Sequence, residues 1–156
     1  MQMIYDTGLL LFSAPRALPF ASRKCSHARQ PRLSVRASTE PGEKSLEGMR
    51  KFSEQYARRT NTYFCSDKSV TAVVVKGLAA HKDELGAPLC PCRHYDDKKA
   101  EVAQGFWNCP CVPMRERKEC HCMLFLTEDN GFRGDDATIS LDTIHETTKG
   151  ISGVQD

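Results

Sequence analysis

Three Cys-x-Cys pairs lie within 33 residues of this 156-residue chain, and they constrain its fold more than any other feature. Sixteen residues separate the first pair from the second, and eight separate the second from the third. The pairs are Cys90-Pro91-Cys92, Cys109-Pro110-Cys111 and Cys120-His121-Cys122. So many thiols in so short a segment indicate a metal site or a disulfide framework. We therefore expect this segment to form the functional site.

The N-terminal segment has the composition of a plastid transit peptide. Residues 7–39 contain no Asp or Glu but carry six basic residues and five serines. Acid-poor, Arg- and Ser-rich N-termini are typical of organelle import signals, and Val35-Arg36-Ala37-Ser38 resembles a plastid processing site. We predict a transit peptide over residues 1–37 and a location in the chloroplast (plastid stroma). A mitochondrial signal or a disordered arm is the alternative.

The remaining chain is weakly acidic, although the whole sequence has a formal charge of +2. Residues 38–156 contain 16 Lys and Arg against 19 Asp and Glu, which gives a formal charge of −3. Because phosphate backbones attract basic surfaces, we predict no nucleic-acid partner. No run of 18 apolar residues occurs, so we also predict no membrane span.

Two long helices are predicted before the cysteine segment. Apolar residues recur at helical spacing over residues 45–59. Asp67 can cap a second helix that ends near Gly86, although Val73-Val74-Val75 could instead form a strand. The apolar stripe of the second helix consists of Val70, Val73, Val74 and Leu78.

Shorter elements are predicted around and after the cysteine pairs. Residues 95–104 favour a helix, and Ser140 can cap a final helix that ends near Lys149. Residues 114–119 indicate a charged connection, and residues 123–126 indicate a short buried strand or helix turn. The patterns together predict a mainly α fold.

Three chemistries could use six thiols. Structural disulfides suit secreted domains and are disfavoured by the import signal. A zinc site takes four ligands, usually uses Cys-x2-Cys pairs and would leave two sulfurs unused. A 4Fe-4S cluster also takes four thiolates, and the remaining two sulfurs could form a redox-active pair. Because a disulfide within one Cys-x-Cys is strained, that pair would join two motifs. The spacing does not identify its members.

The full motif resembles the catalytic (beta) chain of ferredoxin-thioredoxin reductase. The order Cys-Pro-Cys, Cys-Pro-Cys and Cys-His-Cys and both spacings match that family. Residues 90–95 and 106–122 look like that chain almost residue for residue, and the likeness extends from Leu46 to the last helix. It implies a small helical domain with cluster-binding loops between short helices over residues 45–150. Residues 38–44 would be a flexible lead-in, and residues 151–156 a C-terminal tail.

The resemblance implies a division of labour among the six cysteines. Cys92 and Cys122 would form the redox-active disulfide, with Cys92 as the nucleophile and Cys122 as the resolving cysteine on the cluster side. His121, which directly precedes Cys122, could transfer protons beside them, and a purely structural histidine is the alternative. The implied ligands of one 4Fe-4S cluster are Cys90, Cys109, Cys111 and Cys120.

The implied activity is that of a disulfide reductase that takes single electrons from ferredoxin and reduces the disulfide of thioredoxin. A small variable (alpha) subunit would complete a heterodimer. The alternative function is a non-enzymatic zinc-binding interaction domain, in which the sulfurs only stabilise the fold. A simple electron-carrier ferredoxin is a third option, but it would need no spare redox pair.

Several other residues have a structural and a functional interpretation. Cys65 is expected to be a small core residue, and Phe106 and Trp107 to be core or cluster-shielding residues, with a partner contact as the alternative. His94 could shape the thioredoxin face. A basic group could either meet acidic ferredoxin or simply be solvated; it consists of Arg115, Arg117 and Lys118.

Overall fold

The computed structural model describes residues 40–149, and within that range five helices form without any β-strand. The helices are α1 (Glu43–Thr60), α2 (Lys68–Leu85), α3 (Lys98–Gln104), α4 (Val112–Arg117) and α5 (Leu141–Thr148). The mainly α prediction is therefore confirmed. The predicted transit peptide at residues 1–37 and the predicted tail at residues 151–156 lie outside the described residues.

Helix α1 matches the sequence prediction and begins two residues earlier, at Glu43. Leu46, Met49 and Ala57 are buried on one face of α1, which packs against α2. Asn61 ends the helix in the left-handed conformation. Charged residues interrupt the apolar sequence of α1, and no helix within residues 40–149 is apolar over enough length to cross a membrane.

Helix α2 is the central element of the fold, and the strand alternative for its valines is wrong. The Asp67 carboxylate accepts a hydrogen bond from the Ser69 amide at the start of α2, and Gly86 ends it with a φ of 79°. Because α1 and α5 both pack on α2, its buried surface is wider than one stripe. Val74, Val75 and Leu78 are buried in the core, whereas the predicted stripe members Val70 and Val73 are only half-buried.

The two helices inside the cysteine segment differ in how well the sequence predicts them. Helix α3 forms as expected within residues 95–104, with the Asp97 side chain accepting from two backbone amides at its start. The prediction of a charged connection at residues 114–119 is wrong, because α4 occupies most of that segment. Pro113 lies in its first turn, where a fixed φ favours a helix, and Met114 is buried with 1 % exposure.

The last part of the chain closes the core over α2. Residues 123–126 form neither a strand nor a helix turn but a buried bend, in which Leu126 makes an isolated antiparallel bridge with Tyr63. Ser140 caps α5 through a bond from the Thr143 amide, as predicted. Cys65 is 3 % exposed and occupies the core position predicted for it.

Candidate metal and redox centre

The first two cysteine pairs are joined by backbone hydrogen bonds. The Cys90 amide donates to the Trp107 carbonyl at 3.0 Å, and the Cys109 amide donates to the Pro88 carbonyl at 2.8 Å. These bonds flank an isolated antiparallel bridge between Leu89 and Asn108. Helix α3 lies between the two pairs in sequence, and the loops on either side of it connect it to Cys92 and to Cys109.

Tight backbone turns position the third pair. Lys118 and Met123 both adopt left-handed conformations, with φ values of 56° and 55°. Such a conformation costs a non-glycine residue about 1 kcal/mol or more, so tertiary contacts must hold it in place. The Lys118 side chain donates to the Thr60 carbonyl at 3.1 Å, and the Met123 amide donates to the Cys120 carbonyl at 3.2 Å. Cys120 and Cys122 thus lie on a constrained turn between α4 and the core.

Three of the six motif cysteines lie close together, although they belong to the first and the third Cys-x-Cys pairs. The sulfurs of Cys90, Cys92 and Cys122 all lie within 4.8 Å of one another. The Cys90 and Cys122 sulfurs are 2.8 Å apart. Cys90 and Cys122 are buried, whereas Cys92 is exposed. This triad can hold a metal ion or exchange thiols and disulfides with a molecule at the surface.

The other motif cysteines share a pocket with the buried members of the triad. The pocket has about 320 Å³ not occupied by protein atoms, part of it open to solvent, and apolar side chains such as Leu78, Met114 and Phe125 line it. Sulfur atoms and aliphatic walls suit a soft metal or an iron-sulfur cluster. Five cysteines line it, namely Cys90, Cys109, Cys111, Cys120 and Cys122.

The electrostatics of the centre separate its thiols. A hydrogen bond from Cys122, and a smaller contribution from Cys92, stabilise the Cys90 thiolate and lower its pKa to about 3. The same bond raises the pKa of Cys122, because Cys122 donates to Cys90 and cannot carry a second charge beside it. Burial raises the pKa of Cys109 and Cys120. Without a cation the pocket therefore favours thiols at these positions, and a bound metal would deprotonate them.

The histidines and basic residues singled out from the sequence lie at the surface. His121 is exposed but lines the pocket beside Cys122. His94 is 75 % exposed, with its nearest carboxylate oxygen 3.9 Å away on Asp96. Arg115, Arg117 and Lys118 are exposed at the end of α4, where Arg117 pairs with Glu119.

Phe106 and Trp107 differ in their environments, and only part of the sequence interpretation applies to them. Trp107 is half-buried and packs against the core, as expected for a shielding residue. Phe106 is 41 % exposed and meets Trp107 edge-on, with ring centroids 4.6 Å apart. The Arg93 guanidinium lies 3.8 Å from the Trp107 centroid. This cation–π contact anchors the residue that follows Cys92.

Sequence patterns missed three residues that position the first pair. Gly77 on α2 contacts Pro91, and its occurrence inside a helix was the only available signal for a close approach. The His81 ring nitrogen Nδ1 lies 2.8 Å from the Leu89 carbonyl, and the Tyr95 hydroxyl lies 3.0 Å from the Cys90 carbonyl. The two hydrogen bonds span only eight and five residues of sequence, but they depend on how the segment between α2 and α3 folds and leave no periodic pattern in the sequence.

Comparison with known proteins identifies the family. A family model described as ferredoxin thioredoxin reductase catalytic beta chain matches residues 39–147. A relative from Arabidopsis thaliana, named ferredoxin-thioredoxin reductase catalytic chain, chloroplastic, is 77 % identical over 75 % of this chain and 80 % of its own length. A rice relative with the same name is 63 % identical over 92 % of this chain and 100 % of its own length.

A relative from Synechocystis sp., named ferredoxin-thioredoxin reductase, catalytic chain, is 71 % identical over 66 % of this chain and 87 % of its own length. The plant names confirm the chloroplast location, and the shared name confirms the oxidoreductase prediction. The resemblance carried by the six cysteines is thus borne out over most of the chain. The chain belongs to the ferredoxin-thioredoxin reductase catalytic beta chain family.

Proposed function

We propose that this chain is the subunit that uses electrons from ferredoxin to reduce the disulfide of thioredoxin, through a disulfide between Cys92 and Cys122. One observation carries the proposal. An exposed sulfur, Cys92, lies within 4.8 Å of a buried one, Cys122, which lines the cysteine-rich pocket. An exposed thiol can reach a protein substrate, while a buried neighbour can resolve the product.

A 4Fe-4S cluster fits the donor set of the pocket. Cluster iron takes thiolate ligands, and the pocket offers buried sulfurs against apolar walls. Assigning four ligands leaves Cys92 and Cys122 free for the disulfide. When bound, the cluster would accept the single electrons that ferredoxin supplies. The proposed ligands are Cys90, Cys109, Cys111 and Cys120.

The thiol steps follow from the different exposures of Cys92 and Cys122. The exposed Cys92 thiol loses its proton as its sulfur attacks one sulfur of the thioredoxin disulfide, so that a mixed disulfide forms and the other thioredoxin sulfur leaves and takes up a proton. Cys122 then gives up its proton as its sulfur attacks the Cys92 sulfur, which re-forms the Cys92–Cys122 disulfide, and the second thioredoxin sulfur leaves and takes up a proton, so that thioredoxin is released as a dithiol. Two electrons from ferredoxin and two protons return the centre to its reduced state.

His121 is the proposed proton-transfer group. It directly precedes Cys122, it lines the pocket and it is exposed to solvent. An imidazole in this position can take the proton from the Cys122 sulfur and return it when the disulfide reopens.

The partners follow from the family. The relatives are named for ferredoxin and thioredoxin, so we assign ferredoxin as donor and thioredoxin as substrate of this chain as well. The description as a catalytic beta chain supports a heterodimer with a variable (alpha) subunit. The exposed basic residues at the end of α4 offer one surface for acidic ferredoxin.

Metal content and the visible spectrum of the anaerobically purified chain test the proposal. We expect about four iron atoms per chain and broad visible absorption, because a 4Fe-4S cluster has both. A colourless protein with one zinc would overturn the proposal in favour of the zinc-binding domain. Reconstitution of ferredoxin-dependent thioredoxin reduction, monitored by thiol release, completes the test.

A further inference from the structure

The main chain on both sides of Cys90 is held by two side chains, one from α2 and one from the loop before α3. The Leu89 carbonyl lies 2.8 Å from the Nδ1 atom of His81, which is half-buried on α2. The Tyr95 hydroxyl donates to the Cys90 carbonyl at 3.0 Å. Because a carbonyl oxygen only accepts hydrogen bonds, His81 must carry its proton on Nδ1 in this contact.

A third hydrogen bond completes the environment of Cys90. Its amide donates to the Trp107 carbonyl at 3.0 Å. Both peptide groups that flank Cys90 are therefore anchored, by partners from α2, from the loop before α3 and from the segment before Cys109. Neither Cys92 nor Cys122 has a comparable set of side-chain bonds to its own carbonyl or to the preceding one among the interactions of residues 40–149.

We propose that His81 and Tyr95 are positioning residues that fix the Cys90 sulfur relative to Cys122 and to the cluster pocket. The inference rests on the proposed function, in which Cys90 is a cluster ligand while Cys92, two residues away, must exchange bonds. A cysteine side chain has one torsion angle between its main chain and its sulfur. An anchored main chain therefore leaves the Cys90 sulfur only the rotation about this angle while Cys92 forms and breaks disulfides.

His81 and Tyr95 belong to the kind of contact that supports a metal ligand from behind. Hydrogen bonds behind the ligands orient them, and their loss typically weakens metal binding by about 10- to 100-fold. His81 and Tyr95 act on the main chain of Cys90 rather than on its sulfur. Loss of these two contacts should therefore make Cys90 a more mobile ligand, while the same four cysteine sulfurs remain available to the cluster.

The rate of iron loss from the purified holoprotein tests the inference. Tyr95→Phe removes one hydroxyl, and His81→Leu removes the ring donor. We expect both variants to release iron to an Fe(II) chelator about 10-fold faster than the wild-type chain, with an altered visible circular dichroism spectrum of the cluster. His81→Asn can place an amide donor near the position of Nδ1, so it should restore much of the wild-type rate.

A matched control is Tyr63→Phe, because the Tyr63 ring packs under Arg133 and Tyr63 makes no bond to a motif cysteine. It should release iron at the wild-type rate. Wild-type release rates in both Tyr95→Phe and His81→Leu would overturn the inference. If His81→Leu fails to fold, Tyr95→Phe decides alone. A wild-type chain without iron would instead contradict the proposed function itself.

Discussion

Gly77 on α2 lies directly against Pro91 of the first cysteine pair. A Cβ atom at Gly77 would come within 2.7 Å of the Pro91 Cβ and 3.0 Å of its Cγ. The central helix therefore contacts the residue between Cys90 and Cys92, and no side chain larger than the hydrogen of glycine fits at position 77. This contact ties the position of both cysteines to the core.

The first prediction concerns this contact. Gly77→Ala should destabilise the protein by about 1 kcal/mol, because overpacking costs about 1–3 kcal/mol and outweighs the better helix propensity of alanine. Displacement of Pro91 should also slow thioredoxin reduction several-fold. Urea unfolding and steady-state turnover measure the two effects.

Gly48 in α1 provides a matched control. Its added Cβ would meet only the Lys82 ammonium nitrogen, at 3.9 Å. Gly48→Ala should therefore raise the free energy of unfolding by about 0.5–1 kcal/mol, and turnover should not change. Equal stability changes in both variants would contradict the role of the Gly77–Pro91 contact.

The second prediction separates Cys92 from the ligands. Cys92→Ser should keep the iron content and the visible spectrum, because Cys92 is exposed and does not line the pocket. Thioredoxin reduction should fall to the background rate, since a serine hydroxyl cannot form the mixed disulfide. Loss of iron together with activity would identify Cys92 as a ligand instead.

The third prediction concerns the middle pair. Cys109→Ser and Cys111→Ser should each abolish cluster assembly, because both sulfurs line the pocket and a cluster lacking one thiolate is not retained. Iron analysis and the visible spectrum measure the loss. Cys65→Ala, at a buried position that does not line the pocket, is the control and should keep its iron. A folded, iron-replete Cys109 variant would refute the ligand assignment.

The fourth prediction concerns the start of α2. Asp67 accepts bonds from the Ser69 amide at 2.9 Å and from its hydroxyl at 2.6 Å, and these bonds hold the pKa of Asp67 below its usual range. Asp67→Ala should lower the free energy of unfolding by about 1 kcal/mol, whereas Asp67→Asn keeps a capping group and should cost much less. Urea denaturation near neutral pH, where the carboxylate is charged, measures both. An alanine variant as stable as the asparagine variant would show that the cap contributes nothing.

Two of the helices that the sequence predicts well, α2 and α5, have local signals at one end or at both. Asp67 and Gly86 bound α2, and Ser140 starts α5, because caps and left-handed glycines act within a few residues of the helix end. Helix α4 lacks a side-chain cap. Its sequence is rich in charged residues, and only Pro113 in the first turn and the buried Met114 favour a helix there. Its stability comes from the core, which no local pattern reveals.

The cysteine motif and the residues around it indicated the family by resemblance, because the order and spacing of residues can be compared without a structure. The tertiary structure decided how the six cysteines differ. It exposes Cys92, buries Cys122 within 4.8 Å of it and places Cys109 in the shared pocket. It also brings His81 and Tyr95 to the main chain of Cys90. Exposure and side-chain contacts arise only when the chain packs, so spacing alone could not assign these roles.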